Sequence, residues 1–166
     1  MRLLIVFLLS LLPALAWAQH QALRFERIGT SKGLSQSSVS SILQDREGFM
    51  WFATRDGLNK YDGYKFTIYK TNPRDSLSIS NNNVRYITED KKGNFWIATW
   101  GGGINFFNKE KGDFYHYKNS EEDTASLSNN FVHIIYEDIE GKKWVGTDAG
   151  GAVFPLSTAR RQDGDR

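Results

Sequence analysis

Arg55, Asp56, Trp100 and Asp148, with Asn82, Asn83, Asn129 and Asn130, are the residues whose types and placing suit a chemistry. The chemistry is sugar binding. An indole ring stacks on the apolar face of a sugar, while Asn, Asp and Arg side chains exchange hydrogen bonds with its hydroxyls. Trp100 occupies a repeat position held by Arg55 and Asp148 in the flanking copies, and Gly101-Gly102-Gly103 follows it directly. Glycines there let a ligand approach the backbone. The competing role for Trp100 is a ring packed on the neighbouring unit, and asparagines also form turns.

Residues suited to other chemistries lack the spacing. Glu89-Asp90 and Glu137-Asp138 are carboxylate pairs, but each Asp belongs to a recurring turn and is assigned to capping it. His20, His116 and His133 stand in unrelated contexts without metal-ligand spacing, so no zinc site is expected. No Ser/His/Asp or Cys/His arrangement is discernible. The glycine run 101–103 is followed by neither Lys-Ser/Thr nor a helix start, which rules out a phosphate loop. The expectation is therefore no catalytic residue, no metal and no cofactor.

What positions the candidates is a repeat. Val39, Ile42, Asp45, Gly48, Trp51 and Thr54 recur as Val84, Ile87, Asp90, Gly93, Trp96 and Thr99, and again as Val132, Ile135, Asp138, Gly141, Trp144 and Thr147. The tryptophans lie 45 and then 48 residues apart. Such a period indicates propeller blades or helical arrays. Asp-x-x-Gly in the middle decides against a helix, because Gly is a poor interior residue there and this pair suits a tight turn. Val39–Gln44 and Met50–Thr54 are thus expected as strands joined by a turn capped by the Asp45 side chain, with Gly48 at positive φ. Phe49–Ala53 is almost continuously apolar, as in a strand covered on both faces. Leu58–Tyr61 and the alternating Tyr64–Tyr69 supply strands three and four, separated by Asp62-Gly63, a two-residue hairpin signal.

Four antiparallel strands in about 45 residues make one propeller blade. The fold class expected is all-β, an incomplete propeller of four-stranded antiparallel blades. The tryptophans and other repeat residues are assigned to the core and turns of the blades. Alternation brings the turns between strands two and three together with the loops that join blades, so Arg55, Asp56, Trp100, Asp148 and the asparagines should share one face.

The expected divisions are a cleavable signal peptide at 1–18, an orphan outer strand within 23–32, blade one at 33–70 and blade two with its linker at 71–118. A partial third blade at 119–154 and a tail at 155–166 complete the chain. Met1-Arg2, the apolar Leu3–Leu15 and Ala16-Trp17-Ala18 have the form of a secretion signal, with the mature chain starting at Gln19. Leu23–Ile28 alternates like a fourth strand whose partners lie outside this chain. Gly33-Leu34-Ser35, Ser76-Leu77-Ser78 and Ser126-Leu127-Ser128 are taken as equivalent entries to the three blades. In the third, Pro155 falls where Phe107 stands in the second copy, and residues 157–166 lack strand periodicity. A truncation followed by non-native residues is the expectation, with a natural tail as the alternative.

The absence of cysteine leaves stability to packing alone, and 14% aromatic residues supply the bulk for it. A formal charge of +2 with mixed signs gives no strong field and argues against nucleic acid as a partner.

These residues resemble the two-component regulator propeller repeat, N-x-V-x-x-I-x-x-D-x-x-G-x-x-W-I-G-T-x-x-G-G-L. The match runs from Asn82-Asn83-Val84 to Thr99-Trp100-Gly101-Gly102-Gly103-Ile104, and from Asn130-Phe131-Val132 to Gly150-Gly151. Residues 33–70 are similar to the first full blade of hybrid two-component sensors of Bacteroidetes, and the resemblance extends over 23–154. It implies a periplasmic sensor of oligosaccharides, attached in a longer parent to a β-sandwich, a membrane span, a histidine kinase and response-regulator modules. The parent would be an inner-membrane-anchored homodimer. The implied partners are an oligosaccharide or other small ligand and the remaining propeller blades. No kinase motif is present here, so this chain is not expected to be an enzyme. Rival readings are a fragment of a secreted propeller lyase or glycosidase, with acids or bases in the central channel, and a structural or protein-binding propeller.

Overall fold

A computed structural model describes residues 23–154. Beyond a short 3-10 turn at Thr30–Lys32, all regular structure among the described residues is β, and their eleven strands form three sheets. The first is β1 (Val39–Gln44), β2 (Met50–Thr54), β3 (Gly57–Tyr61) and β4 (Phe66–Tyr69), in that order. The second repeats it with β5 (Val84–Glu89), β6 (Phe95–Thr99), β7 (Gly103–Asn108) and β8 (Asp113–Tyr117). The third comprises β9 (Val132–Glu137), β10 (Lys143–Thr147) and β11 (Gly150–Phe154). Every pairing within a sheet is antiparallel. These are blades of an incomplete β-propeller.

The spacing Asp-x-x-Gly-x-x-Trp has a physical cause. Asp90 Oδ1 accepts the backbone N–H groups of Lys92 and Asn94, both at 2.9 Å, and its Oδ2 accepts the indole N–H of Trp96 at 2.9 Å. The Gly93 N–H closes the turn on Asp90 O at 2.9 Å, with Gly93 at φ 83°, where a side chain would be strained. Asp45 with Trp51 and Asp138 with Trp144 reproduce the arrangement. One carboxylate thus satisfies the turn and ties it to the ring six residues on.

Packing runs in one direction. Trp51, Ala53 and Leu58 of the first sheet are buried with Ile87, Phe95, Ile97 and Phe107 of the second. The Trp51 ring meets Phe95 edge-on at 4.9 Å between centroids. Trp96, Ala98 and Ile104 of the second sheet are buried in turn with Val132, Ile135 and Val145 of the third. Each tryptophan face therefore lies on the next sheet. Trp51 and Trp96 are 1% and 5% exposed, whereas Trp144 is 47% exposed, because no described sheet lies on its side.

Latches on the turn side reinforce this stacking. The Arg46 guanidinium donates to Asp90 O and Lys91 O of the next blade, and its backbone N–H donates to Glu89. One blade later, Lys91 Nζ donates to Asp138 O and Ile139 O, and its backbone N–H donates to Glu137. The Lys109 ammonium lies 3.3 Å from Glu89 and 4.0 Å from Asp45. Lys143, almost fully buried, bridges Asp90 and Glu137 at 3.9 and 3.5 Å.

Residues 23–28 carry no strand, and Leu23 and Phe25 are almost fully exposed; the sheet edge expected to accept their backbone is not among the described strands. Two expectations are corrected. The link between β3 and β4 spans Asp62 to Lys65 instead of two residues. Asp62 Oδ1 accepts the N–H groups of Tyr64 and Lys65, which stabilises the longer turn. The entry to blade two is Ser78-Ile79-Ser80, two residues later than expected. Ser35, Ser80 and Ser128 each meet the hydroxyl of the blade's closing threonine (Thr54, Thr99, Thr147), and the preceding Leu34, Ile79 and Leu127 are all buried. The expected signal peptide at 1–18 and the tail at 155–166, with Pro155, lie outside the described residues.

Candidate functional site

The first two pairs of inner strands and the third begin with the same irregularity. Register shifts fall between Val39 and Ser41, between Val84 and Tyr86, and at Gly146/Thr147 opposite Ile134 and Val132. The residues left between the paired positions are Ser40, Arg85 and His133. A bulge re-aims its side chain and ends regular pairing, and here it does so beside the turn between strands two and three.

Backbone bonds draw that turn and the interblade linkers together. Gly57 N donates to Asn82 O at 2.7 Å, Trp100 N to Asn83 O at 2.9 Å, and Gly101 and Gly103 N both to Asn130 O at 3.0 Å. Asp148 N donates to Phe131 O at 3.2 Å, the bond of Trp100 to Asn83 repeated one blade on. Arg55 and Asp56, Asn82 and Asn83, Trp100, Asn130 and Asp148 therefore follow one another along one side of three consecutive blades.

The candidates do not all converge. Trp100 is the centre of a cluster across the junction of blades two and three. Arg85 Cζ lies over its ring at 4.5 Å from the centroid. Phe131 and His133 of the next blade meet the ring edge-on at 5.0 and 5.2 Å. Asp148 joins through His133, whose Nε2 is 2.5 Å from Asp148 Oδ1. Asn83 adjoins Trp100 through the backbone, and its side-chain Oδ1 is buried without a hydrogen-bond partner among the described residues. Arg55 is exposed on the blade-one turn, and Asp56 there is paired with Lys70 at 2.7 Å.

The other asparagines hold backbone. Asn82 Oδ1 accepts Thr71 N–H, Asn130 Oδ1 accepts Asn119 N–H, and Asn129 Oδ1 accepts Phe131 N–H. His116 is buried with its Nε2 2.8 Å from Ser78 O, far in role from His133. Among the described residues no three His, Cys, Asp or Glu side chains gather to hold a metal.

Of the residues that meet in this cluster, the sequence reading named Trp100 and Asp148 as candidates and did not name Arg85, Phe131 or His133. A signal for them exists. Within a fixed pattern, the positions flanking the repeat valine change chemistry between copies: Ser38, Asn83 and Phe131 before it, Ser40, Arg85 and His133 after it.

The family model described as the two-component regulator propeller matches residues 33–56 and 78–101. A protein of Formosa agariphila named histidine kinase P4 is 51% identical over 75 residues, which is 45% of this chain and 6% of that protein. The crystallised extracellular domain of a hybrid two-component system of B. thetaiotaomicron superposes with a TM-score of 0.76 at 36% identity, over 84% of this chain and 20% of that one. A second such extracellular domain from that organism gives 0.66 at 28% identity, over 89% of this chain and 20% of the other. The chain thus spans a small part of the length of these relatives. Two of its three repeats match the two-component regulator propeller model, and the chain is similar in sequence and fold to the extracellular domains of hybrid two-component systems.

Proposed function

We propose that this chain is part of the periplasmic ligand sensor of a hybrid two-component system, and that it binds an oligosaccharide on the side of the blades that carries Trp100. One observation carries the reading. Trp100, Arg85, Phe131, His133 and Asp148 meet across a blade junction, on positions that the repeat leaves free to vary. Ring surface beside a guanidinium, an imidazole and a carboxylate is the mixture that sugar recognition uses. The similarity to extracellular domains of hybrid systems supports the sensor role. Arg55, Asp56 and Asn83 extend the surface to blade one. In the parent protein a transmembrane segment, kinase and receiver modules convert occupancy into phosphoryl transfer, and this chain does no chemistry of its own.

Calorimetry of the full chain against a panel of oligosaccharides tests the proposal. Saturable binding that weakens at least tenfold in Trp100→Ala, with the sugars recovered unchanged, is the expected result. Cleavage of a polysaccharide would replace the sensor by an enzyme, and no binding across the panel would leave a structural propeller.

A further inference from the structure

Resting on the reading above, we infer that the ligand is an acidic oligosaccharide, carrying uronate or sulfate, whose anionic group is received by Arg85. The two carboxylates in the turns between strands two and three are already engaged. Asp56 is paired with Lys70, and Asp148 is engaged by His133. Neither Arg85 nor Arg55 has an ion-pair partner among the described residues. Both carboxylates of these turns are thus occupied while both guanidiniums keep their N–H donors.

Arg85 is also placed to use them. It is the bulged residue of the second blade, held over the Trp100 ring. A guanidinium over an aromatic face keeps its in-plane N–H groups available, and their fork matches the two oxygens of a carboxylate or sulfate. Stacking also restricts the side chain in advance, which lowers the entropy lost on binding. Phe131, partly exposed beside Trp100, offers apolar surface to the adjoining sugar ring. At the bulge positions of the flanking blades stand Ser40 and His133, so the permanent cation is peculiar to the second blade. A neutral sugar would leave its donors directed at hydroxyls, for which an amide suffices.

The test compares oligouronates and sulfated disaccharides with their carboxyl-reduced or desulfated counterparts, read by calorimetry and by the tryptophan fluorescence of the full chain. The expected result is at least tenfold tighter binding of an acidic probe than of its neutral counterpart. Raising salt from about 50 mM to about 500 mM should weaken the acidic probe selectively. Arg85→Gln should remove the preference, and Arg85→Lys should retain part of it. The uronate and sulfate arms tell which anion is bound. Neutral probes bound as tightly as acidic ones, without salt dependence, would overturn this inference and leave the oligosaccharide reading standing. Failure of acidic and neutral probes alike would overturn both. The salt dependence of the unmodified chain decides the matter if Arg85→Gln does not fold.

Discussion

Asp90 shows what a single residue contributes to this fold. Burial raises its pKa, but the Trp96 indole, Asn94 and Lys92 donors outweigh burial and hold the carboxyl below the usual range. Asp138 is lowered too, chiefly by the Trp144 indole N–H. A carboxylate with a depressed native pKa contributes stability that is complete above the unfolded value and disappears as pH falls through the native one. The unfolding midpoint should accordingly fall with pH below about 4, near the unfolded Asp pKa. Asp90→Asn should flatten that limb, as measured by urea unfolding at a series of pH values. Asp90→Ala strands a buried indole N–H and two turn N–H groups, and should cost roughly 2–4 kcal/mol in the same measurement. Equal acid sensitivity in Asp90→Asn and the parent would contradict this account.

At the scale of the element, the blade is set by turns that admit only particular residues. Gly103 starts β7 at φ 74°, and a Cβ there would lie 2.2 Å from Tyr117 O. Gly112 has a similar φ of 78°, but nothing stands within 4 Å of its Cβ position. Gly112→Ala should therefore cost only about 1 kcal/mol, for the conformation. Gly103→Ala should cost several times more, because the backbone of β8 must also move; thermal unfolding of the two variants distinguishes these outcomes. Between elements, Glu89 is nearly inaccessible and receives both the Arg46 N–H and the Lys109 ammonium. Glu89→Ala leaves those donors short of an acceptor and should destabilise by roughly 1–3 kcal/mol. The truncation of the solvent-facing Glu140 should change stability by less than about 0.5 kcal/mol.

The whole molecule stacks its sheets through one asymmetric contact, tryptophan face onto the next sheet's opposite face. The stack leaves Ile134, Tyr136 and Trp144 exposed on the third sheet, and Val39 and Ile42 exposed on the first. Contiguous apolar surface of this kind drives association. Sedimentation of the full chain should therefore show concentration-dependent self-association. The double substitution Ile134→Ser with Tyr136→Ser should reduce it, since both residues lie on the open face. A monodisperse monomer that unfolds in one cooperative transition would refute this expectation.

How much was legible follows from the range of each interaction. The turn, the strand pairs on either side of it and the tryptophan six residues after the aspartate are local, so a fixed short spacing records them. The repeat likewise dictates that turns and linkers share a side, because alternation of strand direction is a local property carried forward. Arg85, Phe131 and His133 were not legible as partners of Trp100, because a bulge shifts which way a side chain points and the neighbouring blade is some 30 residues away in the chain. Leu23–Ile28 shows the converse: its alternation is local, but a strand forms only where another edge accepts its hydrogen bonds, and no described strand offers one. The sequence by itself thus determined the blade, its turn chemistry and its repetition, all of which act over a few residues. Only the tertiary structure decided which variable positions meet across a junction, because that depends on how one sheet is laid against the next.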